Sequence, residues 1–367
     1  MVTEDLMRKF YAGKRVFLTG HTGFKGSWLS LWLCHLGAQV FGYALDPPSQ
    51  PNLFQACAIE GDVIHVHGDI RNVDALRRHM YSIAPDLVFH LAAQPLVRLS
   101  YADPRMTFET NVLGTVNLLE AVRNSSSCRA VVNVTSDKCY ENMEWPWGYR
   151  ECDRLGGRDP YSASKGCAEL ITQSYIHSFF EARDGKVAGV PMVASVRAGN
   201  VIGGGDWGED RIIPDCIRGI GQKTTIAIRH PAAIRPWLHV LDPLNGYLNL
   251  AMKLWDVGPA FCGAWNFGPL STEIWTVEQI VKKVCALWGS GSYHVDPAPC
   301  EHESHWLRLD ASKARIRLGW APKYTVQDAL TKAVTWYQLY YQGVSAHELK
   351  RYSLQQIDEY MNLPAPL

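Results

Sequence analysis

Apolar residues are distributed along this chain in two alternating patterns. Short, nearly continuous apolar runs that read as buried strands cover residues 15–19, 39–45, 64–67, 86–91, 130–134 and 192–197. Between them lie longer segments with apolar residues at helical spacing: 28–36, 73–81, 106–123 and one opening at Tyr161. Strands alternating with helices predict an α/β fold, a Rossmann-type doubly wound parallel sheet covered on both faces. Beyond Gly199 the pattern loosens. Residues 211–214 open a helix, 225–229 and 264–268 form short strands, and 276–288 form an amphipathic helix. The last long helix is expected over 326–342, capped by Thr325. These elements predict a second, smaller mixed α/β domain. A soft boundary divides residues 1–198 from 199–350, with about 236–262 returning to the first domain and 351–367 forming a C-terminal tail.

The first strand runs into Gly20-His21-Thr22-Gly23-Phe24-Lys25-Gly26 and then into a helix. In a strand–glycine turn–helix arrangement the backbone can approach a pyrophosphate, whose charge then faces free N–H groups at the helix end. A glycine turn without a ligand is the plainer alternative. The next strand ends at Asp46, 20 residues beyond Gly26. An acidic side chain there would accept from an adenosine ribose hydroxyl and repel a 2′-phosphate, favouring NAD over NADP. Lys25 in the turn weakens that preference, and Asp46 could equally be a turn residue before Pro47-Pro48. Gly20, Asp46, Asp69, Ala92 and Ser136 all fall at carboxyl ends of predicted strands, where open parallel sheets bind their ligands.

The strand over 130–134 delivers Thr135-Ser136-Asp137-Lys138. Further along, Tyr161 and Lys165 are four residues apart and share a helix face. A neighbouring ammonium favours the phenolate, which makes Tyr161 a candidate general base toward an alcohol. A Tyr and a Lys at this spacing also occur on ordinary surface helices. Between 141 and 160, a run containing Trp145-Pro146-Trp147-Gly148 reads as a loop long enough to act as a lid.

Composition narrows the function classes. The 367 residues are 47% hydrophobic, and 36 Lys+Arg balance 36 Asp+Glu. A chain of zero formal charge offers no global field for nucleic acid or an anionic membrane, so neither is an expected partner. No apolar run reaches the ~18 residues needed to span a bilayer, and the charged segment 1–11 lacks the apolar core of a secretory signal. The ten cysteines include no Cys-x-x-Cys pair. No metal site is expected, and the thiols point to a cytoplasmic protein.

Thr19-Gly20-x-x-Gly23-Phe24-x-Gly26, Asp69-Ile70, Ala92-Ala93-Gln94, Ser136 and Tyr161-x-x-x-Lys165 together resemble the extended short-chain dehydrogenase/reductases, in order, across residues 13–340. Within that superfamily the chain is most similar to the nucleotide-sugar 4,6-dehydratases. Residues 21–28, 135–140 and 197–207 are closest to those of members acting on CDP-glucose. The resemblance implies tightly held NAD, bound by Gly20, Thr22, Gly23, Phe24, Gly26, Asp46, Asp69, Ile70, Ala92, Ala93, Gln94 and Asn111, with Tyr161 and Lys165. It implies oxidation at carbon 4 with Tyr161 as base, Lys165 on the nicotinamide ribose lowering the Tyr161 pKa, and Ser136 on the 4-oxygen. Water then leaves across carbons 5 and 6 and hydride returns to carbon 6. By the same resemblance the product would be CDP-4-keto-6-deoxyglucose, a precursor for 3,6-dideoxysugar and O-antigen lipopolysaccharide synthesis.

By the same resemblance Asp137 protonates the departing 6-hydroxyl. Relatives acting on dTDP-glucose carry Asp-Glu at this point, so Lys138 stands where a carboxylate base is expected. Either Lys138 is the carbon 5 base, kept neutral by burial near Lys165, or it orients the departing water, or it merely pairs with Glu141. The substrate diphosphate would meet Arg98, Asn200, Arg211, Arg235 and Arg308, structural salt bridges being the alternative for each Arg. His21, Trp145, Trp147 and Trp207 would shape the base and sugar pockets. Helices beginning near Thr107 and Tyr161 would pair copies into a homodimer or homotetramer. Two rivals stand beside this reading: an NAD-dependent nucleotide-sugar 4-epimerase, which needs no acid at carbon 6, and a non-catalytic dinucleotide-binding module.

Overall fold

Seven parallel strands form the central sheet of the computed structural model, which describes residues 4–181, 189–270, 274–296 and 306–364. In chain order the strands are β1 (Arg15–Thr19), β2 (Gln39–Ala44), β3 (Ile64–His67), β4 (Leu87–His90), β5 (Ala130–Val134), β6 (Met192–Ala198), β7 (Val201–Ile202), β8 (Ile226–Ile228), β9 (Leu238–His239), β10 (Gly263–Phe267) and β11 (Tyr293–Val295). The main sheet has the order β10-β6-β5-β4-β1-β2-β3, while β8 pairs with β11 and β7 with β9. All pairings in the main sheet are parallel, so its carboxyl ends share one edge. The helices are α1 (Glu4–Tyr11), α2 (Phe24–His35), α3 (Leu53–Ala56), α4 (Val73–Ile83), α5 (Val97–Ala102), α6 (Pro104–Phe108), α7 (Gly114–Arg123), α8 (Pro160–Tyr175), α9 (Ile212–Gly221), α10 (Leu241–Asp256), α11 (Val277–Trp288), α12 (Val326–Tyr341) and α13 (Ala346–Asn362).

Alternation along β1 explains the layers. Val16 and Leu18 join a core with Trp28, Leu31 and Trp32 of α2 and with Leu244, Tyr247 and Leu248 of α10. Phe17 joins the opposite core, with Leu76 and Met80 of α4 and Leu118 and Leu119 of α7. Successive strand residues face opposite sides, so a strand covered by helices on both faces must be apolar throughout. Each large side chain buried this way contributes roughly 1.5–3 kcal/mol.

The structure corrects several expectations. The helix expected over 106–123 opens earlier, on Asp103, whose carboxylate accepts from Met106 N at 2.9 Å, and a π-helical turn at Glu109–Leu113 divides it. Helix α10 escapes the pattern because Pro243 and Gly246 interrupt it. Proline is tolerated in a first turn, and a Cβ on Gly246 would lie 2.2 Å from the Phe267 ring. Together α10, which lies on β5 and β6, and β10, at the sheet edge, follow closely on β9. Helix α12 is not the last long one: α13 follows, with a reciprocal cap between Ser345 and Glu348, and packs on α2, α3 and α12. The tail expected from 351 is thus helical as far as Asn362, and residues 365–367 lie outside the described residues. The segment 141–160 is anchored at several points. Tyr140 bridges Leu155, Tyr149 bridges Leu309, and Trp145 stacks on buried Tyr149 with ring centres 5.5 Å apart.

Among the described residues no helix is long and apolar enough to cross a membrane. Nine cysteines are free thiols, and Cys300 lies outside the described residues.

Candidate active site

A cavity of about 1750 Å³ runs along the carboxyl edge of the sheet. One end is the β1–α2 turn. Gly20 has φ +72°, and a Cβ there would stand 2.6 Å from Ala92 N; on Gly26 it would stand 2.1 Å from Gly20 O. Neither position admits a side chain. Helix α2 opens on Gly23 with no side-chain cap. Its first N–H groups are therefore left for a ligand, and the helix dipole favours an anion. Thr22 Oγ1 donates to Leu45 O at 2.9 Å and ties the turn to the end of β2. Asp46 stands exposed at the rim, 3.4 Å from His67 Nδ1. Asp69 is clasped by the Arg71 guanidinium at 2.6 Å, and Ile70 covers Gly114. Phe24, Ala92, Ala93 and Gln94 also line the cavity. A cradle cleared of side chains, an open helix end and an acidic rim fit a dinucleotide.

The other end is built from side chains. Ser136, just past β5, caps a single turn at Asp137–Cys139 and accepts from Lys138 N at 3.2 Å. Opposite it, α8 begins where Asp159 accepts from Ser162 N at 2.8 Å, with Pro160 in its first turn. That start brings Tyr161 and, one turn on, Lys165 into the same cavity as Ser136. The Ser136 hydroxyl lies close enough to the Tyr161 phenol to lower its pKa, and Ser136 Oγ donates to Asp137 Oδ1 at 3.0 Å. Asp137 Oδ2 is buried with no hydrogen-bond partner. Burial raises the Asp137 pKa above the usual carboxylate range, outweighing the charge of Lys138, the Ser136 hydrogen bond, and the charges of Lys25 and Arg235.

Two electrostatic expectations are corrected. Burial pushes the Tyr161 phenol up to about 12, outweighing the Ser136 hydroxyl and the Arg211 charge. Lys165 is not among the foremost influences on it; the Lys165 ammonium lies 3.5 Å from Val134 O. Lys165 is itself lowered to about 8, by burial first and then by Lys25, which takes the place expected for Lys138 as its like-charged neighbour. Lys138 lines the cavity, and Glu141 pairs instead with Arg154 at 3.0 Å.

Arg98, Asn200, Arg211 and Arg235 line the cavity beyond the sheet edge. Arg211 Nη1 contacts both Asp206 oxygens at 2.9 and 3.0 Å, and Arg98 pairs with Asp210 at 3.1 Å. Arg308 is not brought in. It lies in an extended segment between Leu307 and Leu309, both buried, so its side chain faces the other way, toward Pro146 O at 3.2 Å. Asn111 is also behind the wall: it exchanges two hydrogen bonds with the Gln94 backbone, at 2.8 and 3.0 Å, and donates to Ser164 Oγ at 2.9 Å. It braces the β4 loop against α8. Trp207 lines the cavity, whereas Trp145, Trp147 and His21 do not. His21 is buried over Gly42.

Sequence reasoning missed the support behind α8. Glu169 follows Lys165 by one helical turn and forms a buried ion pair with Arg197 of β6 at 2.8 Å. Its carboxylate also accepts from Ser195 Oγ at 2.7 Å and from Thr135 Oγ1, next to Ser136. Burial alone would raise the Glu169 pKa; the Arg197 charge and these hydrogen bonds outweigh it and hold it below its usual range. Arg197 continues to Tyr140 Oη at 2.7 Å, and Tyr140 to Asn266 of β10 at 2.7 Å. The spacing Tyr161, Lys165, Glu169 marks one helix face and was the available signal.

Comparison with known proteins agrees with this architecture. The family model described as GDP-mannose 4,6 dehydratase matches residues 17–333. A CDP-glucose 4,6-dehydratase of Salmonella typhimurium is 50% identical, over 97% of this chain and 98% of its own. A dTDP-glucose 4,6-dehydratase of Xanthomonas campestris is 26% identical over 89% of this chain and 95% of its own. The fold is shared with a double mutant of dTDP-glucose 4,6-dehydratase from Streptomyces venezuelae, solved with NAD bound (TM-score 0.75, 24% identity, 88% of this chain and 97% of that one). It is shared equally with a UDP-glucose 4-epimerase of Thermotoga maritima (TM-score 0.75, 22% identity, 89% and 99%). With a family model matched over most of its length and half of its residues shared with a full-length relative, the chain belongs to the GDP-mannose 4,6 dehydratase family of extended short-chain dehydrogenase/reductases.

Proposed function

We propose that this enzyme dehydrates CDP-glucose to CDP-4-keto-6-deoxyglucose, with NAD as a recycled hydride carrier. The observation that carries the reading is the meeting, in one cavity, of Ser136, Tyr161 and Lys165 with an acid, Asp137, whose buried Oδ2 has no partner. The 50% identity to a CDP-glucose 4,6-dehydratase supports the choice of nucleotide. Gly20, Gly23, Gly26 and the open end of α2 would receive the cofactor pyrophosphate, and Asp46 the adenosine ribose. NAD supplies a hydride acceptor at the sugar carbon 4 and the same hydride later at carbon 6.

The protein's own groups handle the protons. Tyr161 takes the proton of the 4-hydroxyl, with Ser136 bonded to the same oxygen and Lys165 placed to hold the nicotinamide ribose. The resulting ketone acidifies the proton on carbon 5. Lys138 removes that proton and returns one to carbon 5 when the hydride reaches carbon 6. Asp137, kept protonated more readily than an exposed carboxyl, gives its proton to the departing 6-hydroxyl, so the sugar loses one water and is not oxidised overall. Arg211 and Arg235 line the side of the cavity where the substrate diphosphate would lie. Mass spectrometry after incubation with CDP-glucose should show loss of one water. A product of unchanged mass would mean epimerisation and would overturn the reading.

We also propose a homodimer or homotetramer in the cytoplasm. Leu113, Leu170 and Phe179, about half exposed, lie on the neighbouring α7 and α8 segments, and free thiols suit a reducing compartment. Light scattering should give more than one chain per particle, and Leu170→Glu should lower that number.

A further inference from the structure

The glycine turn carries a side chain that the turn itself does not need. Lys25 is the second residue of α2, immediately before Gly26. A cation at this end of a helix opposes the macrodipole, so helix stability gives no reason for it. The side chain is partly buried and lines the large cavity together with Asp137, Lys165, Asp206 and Arg211. Asp137, then Arg211 and Asp206, are the charges that act on its ammonium, and Lys25 is the foremost charge acting on Lys165. Its head therefore reaches from the cofactor end of the cavity toward the reaction end.

The acids around it are engaged elsewhere. Asp206 holds Arg211 through both oxygens, and Asp137 Oδ1 accepts from Ser136. Among the described residues the Lys25 ammonium makes no hydrogen bond or ion pair. Taking an ammonium even partly out of water without a partner is costly, and burial lowers its pKa to about 8. A ligand with fixed negative charge offsets that cost. Both ligands in the proposed reaction carry a diphosphate, and Lys25 springs from the turn at which one of them would dock.

We propose that Lys25 is a diphosphate-binding residue of this cavity, its ammonium a point-charge partner for phosphate oxygens between the amino end of α2 and Arg211. A lysine suits that task because its three donors rotate on a flexible stem. The proposal rests on the functional reading above for the identity of its ligands, and it adds a cation that the glycine motif does not assign.

The test compares Lys25→Met, which keeps the stem and removes the charge, with Lys25→Arg, which keeps the charge. NADH binding is followed by fluorescence and CDP binding by calorimetry, each over a range of salt, with cytidine as the phosphate-free control. For Lys25→Met, NADH or CDP affinity should fall roughly 10- to 100-fold with a shallower salt dependence. Cytidine binding should be unchanged and Tm equal or higher. Loss with NADH alone assigns Lys25 to the cofactor pyrophosphate; loss with CDP alone assigns it to the sugar nucleotide. Lys25→Arg should recover most of the affinity. The proposal is overturned if both affinities stay within about twofold of wild type, as they would if Lys25 served only as a counter-ion for Asp137. It is equally overturned if cytidine weakens as much as CDP and Tm falls. Failure of the wild-type protein to dehydrate CDP-glucose would sink the functional reading, while the NADH comparison would still stand or fall on its own.

Discussion

The two ends of the cavity are made of different material. At the dinucleotide end the binding surface is main chain: Gly20 and Gly26 leave no room for a Cβ, and the first turn of α2 presents N–H groups without a side-chain cap. At the reaction end the surface is side chains. Burial shifts the protonation of Asp137, Tyr161 and Lys165, and the Glu169–Arg197 pair stands behind them. A main-chain site is specified by atoms that must be missing; a side-chain site depends on what supports it. Adding a methyl group should therefore abolish binding at the first end, while an isosteric exchange at the second should abolish chemistry and leave binding intact.

The largest expected effect breaks the reaction end alone. Tyr161→Phe removes only the reacting oxygen and should lower kcat on CDP-glucose roughly 10²–10⁴-fold, with NADH affinity nearly unchanged. If steady-state kinetics and fluorescence titration show affinity falling in step with kcat, the division between the two ends is wrong. Gly26→Ala is the converse. Its Cβ would lie 2.1 Å from Gly20 O, a backbone atom that cannot swing aside, so the turn must open. Equilibrium dialysis should show NADH binding weakened more than about 100-fold, since several phosphate contacts are lost together.

The same contrast explains what could be read from sequence. The glycine turn and the Tyr161–Lys165 pair are local patterns, and local patterns survive without coordinates. Apolar runs disclosed the strands of the sheet for the same reason, down to the short β10. What escaped depends on separation or direction. Glu169 and Arg197 stand 28 residues apart and meet only because β6 lies beside β5. Arg308 and Asn111 were placed in the site by motif, but strand alternation turns one outward and hydrogen bonding to Gln94 keeps the other behind the wall. The Tyr161 pKa was read from its neighbour in sequence, while burial, which has no local signature, decides it. Helices α10 and α13 were hidden by internal Pro and Gly and by a strongly charged surface.

An intermediate effect tests whether the support is specific. Glu169→Gln leaves Arg197 buried beside a neutral amide, and breaking such a pair costs ~3–5 kcal/mol. Chemical denaturation should show that loss, and kcat should fall roughly tenfold as the Ser136–Tyr161 distance relaxes. Replacing both partners, Glu169→Met with Arg197→Met, should restore much of the stability, since apolar packing often substitutes for a buried pair. It should not restore kcat. Joint recovery of kcat and stability would reduce the network to a support of the fold.

The smallest effect separates titration of the scaffold from titration of the site. Asp242, in the first turn of α10, accepts from Lys323 N at 2.7 Å and from Tyr360 Oη of α13 at 2.9 Å, while its Oδ2 is buried without a partner. Burial raises its pKa from 3.8 to about 7, against those hydrogen bonds. The folded state therefore holds a proton that the unfolded chain has released, and the sign follows. Its contribution is fully present below about 4, diminishes as pH rises toward 7, and is gone above it, a span worth at most about 4 kcal/mol. Asp242→Asn cannot ionise, so its Tm should match wild type more closely at low pH and gain on it by a few degrees as pH approaches 7. The pH profile of kcat should be the same in both proteins, because Asp242 lies in the core beneath α13 and outside the cavity. A shift of that profile would mean that the scaffold and the reaction end titrate together, and the contrast between the two ends of the cavity would then have to include the core beneath them.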